Sequence, residues 1–513
     1  MLGPELDAME SGDSSISHLE DIAEAEMENP KRKGSRGFEA NVMAILDSAG
    51  VKEARDLEDD RHSFLEAVRS ACLMSGSGSV PTRKVFVAIF QILKDDTSLE
   101  LKMASNRLLR DLEKRFPQVH LAKSESSRST TVELVVVEEA WSPFVIGWEG
   151  AYREEVTTSR NSHGLLDSHT FFLLIQDISQ AFSDMNSSLL ASKLLGDMLL
   201  FQYLVNFLEG DFIPRQIKYK ETMNWAFIKD SMLHMLLGSR RISFKSLIKN
   251  CLSVILERSH HNSAVGIHDM KNGESPAKPV LACDAAQAIA MPEVQMGTRI
   301  SMMKFFVQIM ELDVIKKEAD MSGFTSRADG TRTPLLEIVL DELTYNKDLL
   351  SPFLQAFSDP KWKLEITLQY FWKYCTKPSV RTRRSNSSSE DGSFDMVLKC
   401  FSNSTGTRNV VRKISTELSQ LILAHAFQAC LSLKHNSISD KNIGSSSLEQ
   451  ICTGMISAFN NLKNTDGNDA FWERSIVHCS YNSFGKILAR LTHCFCYFGI
   501  LKIGFGGGTE TAQ

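Results

Sequence analysis

Apolar positions recur at helical spacing along almost the whole chain from Phe38 onward, and alternating runs are nearly absent. Val42, Ile45 and Leu46 open the pattern, then Phe64, Leu65 and Val68, then Val85, Phe86, Ile89, Ile92 and Leu93. Leu101, Met103, Leu108, Leu109 and Leu112 carry it to Phe116-Pro117, where the proline ends the helix. The same patterning predicts helices over 171–182, 189–208, 225–237, 244–256, 418–433 and 448–462. The stretch 194–208 is apolar nearly all round, which places that helix between other layers of a soluble fold. Residues 132–137 are the one convincing β-like run. A lone strand is unstable, so they read as an extended connector leading to Trp141.

Between Phe305 and Arg384 three helix starts follow one another, at Thr333-Pro334, Ser351-Pro352 and Asp359-Pro360. Each puts an oxygen-bearing capping residue before a proline, which wastes no donor at the first helical position and pre-sets φ. Leu335, Leu336, Ile338, Val339, Leu340 and Leu343 then give an amphipathic helix, and Trp362, Leu364, Ile366, Leu368, Tyr370 and Trp372 a second. Short helices joined by tight turns without intervening strands predict an all-α fold of stacked helical hairpins. No strict repeat period emerges, so the expectation is an irregular α-solenoid of armadillo or HEAT type, not a consensus array.

Composition divides this frame. Residues 1–37 carry Glu20, Asp21, Glu24, Glu26 and Glu28 before turning basic, and are too polar to bury a core, so a disordered arm is expected. An N-terminal helical region follows over 38–258, then a flexible loop over 259–298 that holds three prolines without periodicity. A central helical region (299–376), a basic and serine-rich linker (377–395) and a C-terminal helical region (396–465) complete the folded part. The tail 466–513 differs in composition and ends in a glycine-rich run.

Several strings resemble the plant negative regulator of systemic acquired resistance family. They are Met310-Glu-Leu-Asp313, Lys316-Lys317, Ser326-Arg-Ala-Asp-Gly330, Arg332-Thr-Pro334, Leu340-Asp-Glu-Leu-Thr-Tyr345, Asp359-Pro-Lys-Trp-Lys-Leu-Glu-Ile366 and Val380-Arg-Thr-Arg-Arg384. Ala140-Trp-Ser-Pro-Phe144 and Glu221-Thr-Met-Asn-Trp225 belong with them, and the resemblance spans roughly residues 38 to 465. It implies a nuclear protein that represses defence-gene transcription and acts in DNA-damage response and recombination. It also implies an accessory subunit of the structural maintenance of chromosomes 5/6 complex, working beside a second accessory subunit.

The 513 residues hold 57 basic and 63 acidic side chains, a net charge of −6, which argues against a protein that coats nucleic acid. No stretch has the unbroken apolar length of a membrane span, and ten scattered cysteines without a secretory leader fit a reducing compartment. The phosphate loop, the G-x-S-x-G elbow, H-E-x-x-H and paired Cys-x-x-Cys are all missing, so no enzyme, cofactor or small-molecule substrate is expected. His478, Cys479, His493, Cys494 and Cys496 have ligand types suited to zinc, but Cys-x-Cys spacing and the neighbouring Phe495, Tyr497 and Phe498 favour burial. His260-His261 lies in a polar loop, and His425 sits on an apolar helix as a hydrogen-bonded core histidine; no metal is expected at either.

The basic clusters carry more. Lys31, Arg32 and Lys33 form the short run an import receptor reads, balanced by the reading of a merely solvated charge run. Arg381, Arg383 and Arg384 fit a second import signal, a phosphate contact or a site for a partner's acidic patch. Ser385, Ser387 and Ser388 beside them are phosphorylation candidates whose added charge would mask the arginines. Trp141, Trp225 and Trp362 are read as core residues first and partner anchors second. Two functions survive: a nuclear protein-interaction scaffold acting on chromatin indirectly, and a direct DNA-binding repressor using the basic linker. Net acidity and the lack of a helix-turn-helix or finger pattern favour the scaffold.

Overall fold

The computed structural model describes residues 39–46, 54–74, 79–123, 132–137, 140–145, 165–183, 188–256, 282–326, 332–375, 392–435, 442–444 and 446–466. The arm 1–37, the linker arginines and serines, and the tail from 467 lie outside the described residues. Two compact units are present, Met1–Val85 and Phe86–Gln513. In the first, helix α1 (residues 39–46) and helix α2 (Ala54–Arg69), with a π-helical turn at Ser70–Met74, bury Val42, Phe64, Leu65, Val68 and Cys72.

The second unit is mostly helical. Its elements begin with α3 (Arg83–Asp95), which starts in the first unit, and α4 (Leu99–Arg115). After a hairpin of β1 (Val119–Lys123) and β2 (Val132–Val136) come α5 (Ser168–Ser183), α6 (Ser188–Thr222), α7 (Ala226–Lys229), α8 (Met232–Gly238) and α9 (Phe244–Leu256). The rest are α10 (Ala282–Met321), α11 (Leu335–Tyr345), α12 (Leu350–Ala356), α13 (Pro360–Cys375), α14 (Phe394–Cys400), α15 (Ser404–Ile414), α16 (Thr416–His435) and α17 (Leu448–Asp466).

Helix α6 is the centre of this unit because its apolar surface needs cover on every side. Asn106 of α4 donates to the Leu199 carbonyl at 2.7 Å, and Tyr203 donates to Glu113 at 2.6 Å, so α4 and α6 run parallel. On another side Gln202 reaches Thr298 (3.1 Å), Glu209 meets Lys304 (3.1 Å) and Gln216 meets Glu311 (3.0 Å), so α10 also runs parallel to α6. Helix α5 runs antiparallel, with Phe171 against Phe201 and Asp177 against Lys193. Gly297 lets α6 and α10 close up, since a Cβ there would meet the Gln202 amide at 3.0 Å.

Four sequence expectations are corrected. The loop expected over 259–298 is helical from Ala282, because Ala-Cys-Asp-Ala-Ala-Gln-Ala-Ile-Ala has high helix propensity and Pro292 costs α10 a bond without ending it. Residues 132–137 are not a lone connector: Val132–Val136 pairs antiparallel with Val119–Lys123, Leu121 opposite Leu134. The helix expected over 225–237 breaks into α7 and α8 at Asp230-Ser231, where the Ser231 hydroxyl accepts from His234 N at 3.2 Å and caps α8. The helix expected over 189–208 extends to Thr222, carrying Pro214 within it.

Only one of the three proline starts is capped locally. Asp359 Oδ1 accepts from Trp362 N at 3.0 Å and Pro360 opens α13. Pro334 stands just before α11 with no cap from Thr333, and Pro352 falls inside α12, which a 3₁₀ turn at Lys347–Leu349 leads into.

Candidate functional site

The three strings around Met310–Asp313, Arg332–Pro334 and Asp359–Ile366 are separated in sequence, and folding brings them to one joint between helices. Asp313 on α10 accepts from Leu335 N at 2.8 Å and so supplies, from another helix, the cap that α11 lacks. The same carboxylate pairs with Arg332 at 2.5 Å. Arg332 in turn lies over the Phe244 ring at 4.2 Å, so α9, α10 and α11 meet through one guanidinium. Burial pushes the Asp313 carboxyl up and pulls the Arg332 guanidinium down, each offset by the other's charge.

Two residues earlier on α10, Glu311 accepts from Lys361 at 2.7 Å and from Gln216 at 3.0 Å. Lys361 also lies 4.8 Å from the Trp362 ring centre. Glu311 therefore ties α6, α10 and α13 together, and Asp313 ties α9 and α11 to the same turn of α10. A parallel joint sits on α6, where Asp211 pairs with Arg215 at 2.9 Å and accepts from Met232 N at 2.7 Å at the start of α8.

Farther along α13, Lys363 is buried and its ammonium is pulled below the ordinary lysine range by that burial. His425 on α16 is 4 % exposed, and burial, then the Lys363 charge, hold its pKa down at about 4. The core placement expected for His425 is observed, and its Nδ1 finds no hydrogen-bond partner among the described residues. In the same region Asn442 donates to Glu365 at 2.6 Å, and Asp395 accepts from Ser446 N at 3.0 Å. Gly444 holds φ +86° against the Asp395 carboxylate.

Trp141, Trp225 and Trp362 are all buried. Trp141 stacks on Phe86 at 5.6 Å and meets Phe90 and Phe207 at its other edges. Trp225 packs edge-on against Tyr219 and His234. Trp362 is 4 % exposed beneath Lys361. These placements make them packing residues of the helical layers. Lys31, Arg32, Lys33, Arg381, Arg383, Arg384, Ser385, Ser387 and Ser388 lie outside the described residues, as do His260, His261 and the His478–Cys496 cluster.

Sequence reasoning missed the polar ladder along α6. Gln202, Glu209 and Gln216 stand at heptad spacing in an apolar helix, and each meets a polar side chain of α10. That spacing was the available signal, because polar residues repeated every two turns of a buried helix mark one contact line. What the arrangement does chemically is hold helices in register. Among the described residues, no group of three or more His, Cys, Asp or Glu side chains is placed to hold a metal, and no helix is long and apolar enough to cross a membrane.

Family models described as the SNI1 middle domain and the SNI1 C-terminal domain match residues 118–359 and 375–473. The chain is 41 % identical over 434 residues to the negative regulator of systemic acquired resistance SNI1 of Arabidopsis thaliana, an alignment covering 84 % of this chain and 90 % of that protein. No solved structure matches the chain.

Proposed function

The chain belongs to the SNI1 family, and from that premise we propose that it is a nuclear, non-enzymatic scaffold that restrains systemic acquired resistance. Its action is to lower defence-gene transcription and to serve DNA-damage response and homologous recombination as an accessory subunit of the structural maintenance of chromosomes 5/6 complex. Its partners are nuclear proteins: a second accessory subunit and the core of that complex, with chromatin engaged indirectly. The observation that carries this reading is the identity of 41 % to a protein named for that regulation, over most of both chains.

The geometry supports a scaffold. Largely desolvated ion pairs and long-range caps such as Asp313–Arg332 and Asp211–Met232 are devices for fixing the angle between helices, and rigid helical surfaces suit partner docking. The fold is read more finely as an irregular α-solenoid. Parallel α4, α6 and α10 with antiparallel α5 on α6 is the relation expected when helical hairpins stack in one direction. Entry to the nucleus is assigned to Lys31, Arg32 and Lys33, with Arg381, Arg383 and Arg384 as a second signal.

The test is immunoprecipitation of the tagged full-length chain from plant nuclei, with quantitative proteomics against a tag-only control. Enrichment of the structural maintenance of chromosomes 5/6 subunits is expected. A chain concentrated in nuclei that enriches none of them overturns the accessory-subunit reading. Nanomolar, sequence-dependent DNA binding at physiological salt in a gel shift would replace the scaffold with a direct repressor.

A further inference from the structure

The connection between α8 and α9 reads Ser239-Arg240-Arg241-Ile242-Ser243, and we propose that Ser243 is a phosphate acceptor for a basophilic serine/threonine protein kinase. Such kinases bind two basic side chains, three and two residues before the acceptor, in a cleft lined with carboxylates. Arg240 and Arg241 stand at those positions, and Arg240, Arg241 and Ser243 are all exposed. From Ser231 to Leu256 the chain carries no acidic side chain to repel such a cleft.

The loop lies at the surface where a kinase must grip it, turned by Arg241 N on Ser239 Oγ at 3.3 Å and followed by Leu247 N on the Ser243 carbonyl at 2.9 Å. Arg241 pairs with Asp167 at 3.1 Å, but with 60 % and 37 % of the two side chains exposed the pair is readily exchanged for a kinase carboxylate. The Ser243 hydroxyl lies 2.9 Å from that of Ser246 and has no partner deeper in the protein among the described residues. Ile242, between Arg241 and Ser243, is buried, at 8 % exposure.

In the transfer, Ser243 Oγ forms a bond to the γ-phosphorus of ATP as the bond from that phosphorus to the β,γ-bridging oxygen breaks. ADP leaves, and the hydroxyl proton passes to the kinase's catalytic carboxylate. The product carries about −1.5 to −2 charges at neutral pH. It lies beside Arg240, Arg241 and Lys245 and adjoins Phe244, the ring on which Arg332 stacks. The new group competes with Asp167 for Arg241. Asp167 itself caps α5 through Thr170 N at 2.8 Å, so phosphorylation loosens the tie between the starts of α5 and α9.

The experiment treats the purified full-length chain with ATP and the catalytic subunit of an AGC-class basophilic kinase, and maps sites by tandem mass spectrometry. Ser243 is expected to label close to stoichiometrically, S243A to lose that site, and the R240Q/R241Q variant to label it at least tenfold more slowly while keeping the wild-type circular dichroism spectrum. A synthetic peptide of residues 236–249 is the control. Labelling of the peptide without Ser243 in the folded chain overturns the proposal by showing that Ile242 hides the site. Labelling of neither, or an R240Q/R241Q rate equal to wild type, overturns it by showing that the arginines are not read. None of these outcomes bears on the scaffold reading, which rests on other residues.

Discussion

Replacing Asp313 by alanine removes two interactions with one side chain, and the structure sets the size of the loss. Asp313 and Arg332 keep only 14 % and 18 % of their side-chain surface, so truncating the carboxylate leaves a nearly buried guanidinium without its anion. Breaking such a pair by removing one partner costs about 3–5 kcal/mol. The bond to Leu335 N is lost as well, and an absent N-cap costs about 1 kcal/mol. The sum overlaps, because both terms draw on one desolvated carboxylate, so roughly 4 kcal/mol is expected. The loss falls on α11, and native-state hydrogen exchange of the amides in Leu335–Tyr345 reads it locally without assuming two-state unfolding of a chain this long. At about 1.4 kcal/mol per decade, exchange there accelerates by roughly a thousandfold. Asp313→Asn keeps a cap acceptor but not the charge and falls between. In the double-mutant cycle with Arg332→Ala, a coupling of about 2 kcal/mol or more is expected. Protection in α11 within threefold of wild type, or additive single variants, refutes the joint.

Three further outcomes follow from the geometry. Trp141→Ala, Trp225→Ala and Trp362→Ala each cost about 3–5 kcal/mol and lower the melting temperature, read by differential scanning calorimetry, because each empties a packed site. Gly444→Ala forces a Cβ toward the Asp395 carboxylate at φ +86°, and is expected to lower the melting temperature by several degrees while an exposed control, Gly238→Ala, does not. His425 has a folded pKa of about 4 against the ordinary 6.5, so the unfolded chain takes up a proton the folded one refuses. Its stability contribution is therefore complete above about pH 6.5 and is lost, by roughly 3 kcal/mol, as pH falls toward 4. His425→Met should flatten that part of the urea-midpoint profile between pH 6.5 and 5.

What could be read from the residues is what local chemistry decides. The cap at Asp359 was legible because the acceptor and Trp362 N lie within one turn, and the all-round apolar face of α6 announced a helix between layers. The cap of α11 was not legible, because its acceptor is Asp313 on another helix and no local signal predicts a tertiary partner. Strand β1 was hidden for a related reason: Val-His-Leu-Ala-Lys is too short and mixed to stand out until Val132–Val136 pairs with it. The start of α10 was obscured by Pro292, which breaks helices in isolation but is carried here within a long helix packed on α6. The family strings pointed to the right residues, yet only folding places Asp313, Arg332 and Glu311 at one joint.

The central claim, that this chain restrains systemic acquired resistance, is tested most directly in Arabidopsis plants lacking their own SNI1. Defence-gene transcripts are measured after introducing the wild-type chain at matched protein level. The account predicts that wild type returns the transcripts to the low uninduced level. Transcripts that stay elevated while the wild-type chain accumulates, folded and in the nucleus, would contradict it.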